Sequence, residues 1–199
     1  MKKIILLFIW ANFSFPSISQ KPNKINTAKA FLADVLPLSE NGELIVVNKI
    51  SGFQLNVIKK YLEKDSFFNI EMDKNKQINY KDLIVLSPKE KKMIYKTIHK
   101  MTKSKWKKNY LPEVKLIDAD TIKLLFKNNS KKEAWDLFNK KYGKGFFELL
   151  KPIFIRENSI CFFYYGYNCG PLCGHGLLGI YKKEKNKWQL LIIIDEWIS

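Results

Sequence analysis

Ile160-Cys161-Phe162-Phe163-Tyr164-Tyr165-Gly166-Tyr167-Asn168-Cys169-Gly170-Pro171-Leu172-Cys173-Gly174-His175-Gly176 is the stretch that decides the fold. Its first nine residues form an apolar and aromatic run. Phe162, Phe163, Tyr164, Tyr165 and Tyr167 put rings on both faces of one strand, as a central strand requires. The remaining eight residues concentrate turn formers: Gly170, Pro171, Gly174 and Gly176. A turn there folds 160–168 back against the run Leu177 to Lys182 as an antiparallel hairpin. Cys169 and Cys173 then flank a three-residue turn centred near Pro171, at a separation a disulfide can span. A bridge closing so small a loop contributes roughly 2 kcal/mol in the chain-entropy model. Gly170, Gly174 and Gly176 are expected to supply positive φ or room for close backbone approach.

Two further runs flank this hairpin, Phe146 to Ile155 and Trp188 to Trp197. The links are short: Arg156-Glu157-Asn158-Ser159 and Lys183-Glu184-Lys185-Asn186-Lys187. The spacing predicts a four-stranded antiparallel meander over 146–198. Upstream, 28–142 reads mostly as helix. Ala28 to Val35 is a short helix stopped by Pro37. Glu43 to Ile50 is a strand after an Asn41-Gly42 turn, and 53–63 is a helix with Leu55, Ile58 and Leu62 on one face. Asp73-Lys74-Asn75-Lys76 is a turn. It is no calcium loop, because Ile78 and Ile84 stand where glycine and glutamate belong. Ser87-Pro88-x-Glu90 is a capping box that opens the clearest helix, with Ile94, Ile98 and Met101 as its inner stripe. Asp118 or Asp120 caps a further helix with Ile122, Leu125 and Phe126 facing inward. The last helix, 131–142, presents Trp135, Phe138 and Tyr142. Helices followed by a meander give an α+β fold, with the helices over one sheet face and a partly open groove on the other.

The N-terminus reads as a signal peptide over 1–19. Lys2 and Lys3 precede the apolar Ile4 to Trp10, and Ser17-Ile18-Ser19 is a small-x-small cleavage site. The apolar run falls short of the ~20 residues that span a bilayer. The expected product is a periplasmic or secreted chain of about 180 residues, with a flexible lead-in at 20–27 and one α+β domain over 28–199. Outside the cytosol the Cys169–Cys173 disulfide is favoured, leaving Cys161 unpaired.

The formal charge is +16, yet Arg156 is the sole arginine among 35 basic residues. Arginine's planar fork serves specific phosphate and base recognition, so a lysine-built surface in an exported chain argues against nucleic acid as partner. The charge is densest over 87–108, which holds nine lysines and one acid, Glu90. There Lys89, Lys92, Lys96, Lys100 and Lys103 recur every three or four residues opposite the apolar stripe. That face is either solvated or the contact for an anionic envelope component or another protein. Lys92, Lys96, Lys100 and Lys103 are its candidate binding residues.

Other chemistry has little to stand on. Cys169, Cys173 and His175 would make three metal ligands, but no fourth ligand is at hand. C-x-x-x-C is not the redox spacing C-x-x-C, and Cys173-Gly174 is not the haem motif. A Cys173/His175 nucleophile pair on one strand lacks suitable hydrogen-bond geometry. No carboxylate pair, phosphate loop or nucleophile elbow is present. No cofactor, metal or catalytic residue is therefore expected. His175 remains a candidate binding residue, because the turn has no structural use for it.

The C-terminal half resembles a group of uncharacterised small exported bacterial proteins. The shared residues are Trp135-x-x-Phe138, Lys141-Tyr142, Pro152-x-Phe154, Cys169-Gly-x-x-Cys173-Gly-x-Gly176, Lys182-Lys183, Lys187-Trp188 and Trp197-Ile198-Ser199. They cover 131–199, and 80–127 more loosely. The resemblance implies export and a helix-plus-meander architecture, and no activity. Lys187-Trp188 is also similar to the start of the last strand in nuclear-transport-factor-2-like folds, whose N-terminal helices are longer. The reading expected from the sequence is a non-catalytic binding or structural module of the cell envelope. The alternative is a metal-binding or thiol-based enzyme centred on Cys169, Cys173 and His175.

Overall fold

The computed structural model describes residues 24–36, 44–72, 78–111 and 114–199. The expected signal at 1–19 and the turns at Asn41-Gly42 and Asp73 to Lys76 lie outside them. The elements are α1 (Lys24–Val35), β1 (Leu44–Val47), α2 (Gly52–Tyr61), β2 (Ser66–Met72), β3 (Ile78–Val85) and α3 (Pro88–Met101). A 3-10 turn (Lys108–Tyr110) leads to β4 (Val114–Ile117), α4 (Ala119–Asn128) and α5 (Lys131–Lys141). Then come β5 (Phe146–Leu149), β6 (Ile153–Ile155), β7 (Ile160–Gly170), β8 (Cys173–Glu184) and β9 (Lys187–Ile198).

The fold is α+β, and its C-terminal strands are antiparallel, but there are five of them and not four. Phe146 to Ile155 breaks into β5 and β6. Leu149 pairs with Tyr165 and Ile153 with Phe162, so four steps on one side match three on β7. Leu150 keeps its N–H on the Tyr164 carbonyl (2.9 Å), and Pro152 has no N–H to continue the ladder. The sheet is also wider than a meander. It has seven strands in the order β4-β1-β5-β7-β8-β9, with β6 also on β7, and β1 runs parallel to both β4 and β5. A second sheet is the β2–β3 hairpin. The β8–β9 link is the two-residue Lys185-Asn186, both at positive φ (47° and 66°), as a type I′ turn demands.

Helices cover both faces of the large sheet, which corrects the expected open groove. Strand alternation sorts the core. Val46, Leu149, Cys161, Phe163 and Tyr181 point to one side, where α1 lays Phe31 and Leu32 on them. Phe162, Tyr164, Leu178 and Ile180 point to the other, where α2, α3 and β2–β3 supply Leu55, Ile58, Phe67, Ile94 and Ile98. Beside that core, Ile45, Val47 and Phe146 meet Trp135 and Phe138 of α5. Asp34 fastens α1 to β9 by accepting from the Trp188 N–H and from Lys187 Nζ, both at 3.1 Å. α1 starts at Lys24, four residues before the expected Ala28, and no helix among the described residues is long and apolar enough to cross a membrane.

α3 has the capping box read from the sequence: Ser87 Oγ accepts from the Glu90 N–H, and the Glu90 carboxylate accepts from the Ser87 N–H. Arg156 also reaches this corner. Its Nε donates to Glu90 (3.0 Å) and its Nη2 to the Val85 carbonyl (2.7 Å). The sole arginine thus joins the β6–β7 turn to the start of α3.

Candidate functional site

The tip of β7–β8 is tighter than the sequence suggested. Gly170 pairs with Cys173 across a two-residue Pro171-Leu172 turn, and the register shifts between Asn168 and Gly170. Cys169 therefore occupies a bulge and not a paired position. The bulge brings its Cα to 5.1 Å from that of Cys173, and the two form the disulfide. Leu172 stands at the apex, 87% exposed. In this oxidised state neither sulfur is a thiolate, so neither serves as metal ligand or nucleophile. Cys161 is fully buried, and burial pushes its thiol pKa well up. No group of three metal-ligating side chains forms among the described residues.

His175 lies two residues past the bridge, opposite Tyr167. Its exposed ring meets Tyr167 (5.7 Å between centroids) and Tyr165 (5.9 Å). Tyr167 in turn packs on Phe147 (4.7 Å) and donates its hydroxyl hydrogen to the Lys144 carbonyl (2.9 Å). The histidine is one member of an aromatic ledge.

The glycines of the cluster have a different use from the expected one. Positive φ among the described glycines is confined to Gly143 and Gly145. Gly166, Gly174 and Gly176 instead form a flat floor under the Trp197 indole. A Cβ on Gly176 would collide with Trp197 Nε1, and one on Gly174 would lie 3.1 Å from the ring. Gly174 and Ser199 also exchange backbone hydrogen bonds (2.9 and 3.3 Å). The Cys-Gly motif and the Trp197-Ile198-Ser199 ending are thus two halves of one contact.

Beside this floor lies a polar cluster that sequence reasoning missed. Trp197 Nε1 donates to the mostly buried Tyr164 hydroxyl (3.3 Å), and burial raises that phenol's pKa. The Asp195 carboxylate beside Tyr61 raises that phenol's pKa. Glu148 on β5 accepts the Ser51 N–H at the start of α2 (3.0 Å). Burial raises the Glu148 pKa more than that hydrogen bond lowers it. The one available signal was an acid inside the apolar run Phe146 to Leu150.

A carboxyl raised on folding binds its proton more tightly in the native state. Its ionisation destabilises the fold, so this contribution is most favourable below the unfolded pKa and is lost as pH rises through the folded one. Glu148→Gln keeps an acceptor for Ser51 and removes the charge. Thermal unfolding from pH 4 to 8 should show the glutamine variant more stable at neutral pH, with the gap closing toward pH 4. A gap of constant size would mean that the charge is not what matters.

The lysine face of α3 is laid out as predicted. Ile94, Ile98 and Met101 are buried, while Lys89, Lys92, Lys96, Lys100 and Lys103 are exposed. None of the five has an ion-pair partner among the described residues, whereas Lys91, turned aside, pairs with Asp65. α3 packs near β6, which pairs with the Ile160–Phe162 end of β7, and His175 sits at the other end, opposite Tyr167. Six strand residues separate Cys161 from Tyr167, roughly 20 Å. The structure therefore does not unite His175 with the α3 lysines in one site. Asp118 is the N-cap of α4, accepting from the Asp120 N–H (2.9 Å), and Lys105 beside it holds its carboxyl pKa down at about 2. Asp120 is in the first turn and caps nothing.

Comparison with family models, curated proteins and solved structures returns no match for this chain.

Proposed function

We propose that the chain is an exported, non-catalytic binding module of the cell envelope, and that it holds an anionic partner through the lysine face of α3. The observation that carries this reading is the row of four exposed lysines on α3 continued by Lys103 just past its end, none neutralised by a carboxylate among the described residues. Rows of like charge repel one another and contribute nothing to the fold. They are relieved when an anionic surface displaces their counter-ions, which makes such binding salt-sensitive. The narrow Ile94-Ile98-Met101 stripe is already committed to the core, so the contact is superficial and not an inserted helix. The alternative centred on Cys169, Cys173 and His175 has less support, since the two sulfurs are bonded to each other and the histidine faces tyrosines.

The test is co-sedimentation with vesicles containing anionic or only zwitterionic lipid, at low and high salt. Changing Lys92, Lys96, Lys100 and Lys103 together to glutamine should abolish binding to the anionic vesicles at low salt. At about 1 kcal/mol per lysine near such a surface, the loss should exceed a hundredfold. Equal binding to zwitterionic vesicles, or binding that ignores both salt and the four substitutions, would overturn the reading.

A further inference from the structure

Among the ion pairs of the described residues, Lys91, Lys105, Lys182, Lys187 and Arg156 each meet a carboxylate. Lys151, between β5 and β6, does not. Its Nζ donates to Ser104 Oγ and to the Lys105 carbonyl (2.9 Å), and it stands 5.6 Å from the Trp106 ring centroid. These partners are neutral, so a half-buried ammonium is left with hydrogen bonds and no counter-ion among the described residues. Charge taken from water without a counter-charge is unfavourable, and Lys107 adds repulsion; both push the Lys151 pKa down.

Lys151 borders a half-open cavity of about 370 Å³, at the small end of the ~300–1,000 Å³ typical of ligand sites. Its walls include Met93, Lys100 and Met101 of α3, Trp106 and Phe154. Among the described residues that line it, none is acidic. The site thus has an apolar body, two lysines in its lining and, among the described residues, no acid to neutralise them. Methionines give the wall a polarisable surface that adapts to a flexible chain. Trp106 is fixed in place, its indole N–H donating to the Leu149 carbonyl (3.0 Å).

We propose that this cavity binds a medium-chain carboxylate, its head on Lys151 and its chain against Met101, Trp106 and Phe154. The carboxylate supplies the missing counter-charge, and the chain buries apolar surface now open to water. A neutral molecule of the same body gains only the second term. Lys100 belongs to both surfaces, but the site does not rest on the vesicle-binding reading, because Lys151 is not on α3 and the ligand is a dissolved molecule.

The test is calorimetric titration of the full protein with octanoate and with 1-octanol. Octanoate should bind at least tenfold more tightly than octanol. Lys151→Met, which keeps the apolar stem, should erase that preference and leave octanol binding unchanged. Thr97→Trp, which puts an indole into the cavity from α3, should remove binding of both. No binding of octanoate by the wild type, no preference over octanol, or an undiminished preference in Lys151→Met would each overturn the proposal. The wild-type preference decides the matter even if a variant fails to fold.

Discussion

Phe31→Ala should destabilise the protein by about 3–5 kcal/mol, the range for emptying an aromatic site in a core. Phe31 is fully buried and makes edge-to-face contacts with Phe154, Phe163, Tyr181 and Trp188, at centroid distances of 5.0–5.8 Å. Such pairs contribute about 0.5–1.5 kcal/mol each beyond area burial. The four partners come from β6, β7, β8 and β9, so one side chain of α1 locks together strands that α1 only overlies. Domain stabilities are about 5–15 kcal/mol, and the loss would consume much of that. Urea unfolding measures it, with Phe53→Ala as control. Phe53 is 76% exposed on α2 and should shift stability by no more than about 0.5 kcal/mol. If Phe31→Ala cost less than about 1 kcal/mol, α1 would lie outside the cooperative unit.

The second large effect is conditional on a neighbour. Gly176→Val should destabilise by about 1–3 kcal/mol, because its Cβ takes the space of the Trp197 indole nitrogen. Valine otherwise suits a strand better than glycine does. In a Trp197→Ala background the same substitution should therefore be neutral or stabilising. That change of sign is a coupling between two residues paired across β8 and β9. A full penalty in both backgrounds would show that Gly176 is needed for its own backbone and not for the indole above it.

These two contacts also show how far the sequence could be read. The capping box at Ser87 and Glu90 is complete within four residues, and it was legible because every partner is local. The same holds for the inner stripe of α3 and for the turn at Pro171. β4 was not legible. Val114–Ile117 is four residues long, and its parallel partner, Leu44–Val47, is 70 residues away. Pairing at that distance leaves no local periodicity. β2 and β3 escaped for a different reason: no two-residue turn signal joins them. The break between β5 and β6 follows from Pro152, which was visible, but its consequence depends on β7 lying alongside. Glu148 looked like an ordinary strand acid, because its surroundings, including the Ser51 N–H at the start of α2, come from a segment 97 residues away.

By itself, the sequence determined the α+β class, the capped basic helix, the aromatic central strand and the pairing of Cys169 with Cys173. Each of these is settled by residues within a turn or a hairpin of one another. Only the tertiary structure decided what the Cys-Gly cluster is for. Its glycines are flat because Trp197 returns to lie on them, its histidine belongs to a tyrosine ledge, and the lysines of α3 stand toward the other end of β7. It likewise decided that Lys151 lines a largely apolar cavity with no counter-charge among the described residues. Local sequence fixes which conformations are cheap, while burial, register and uncompensated charge depend on which distant segments meet.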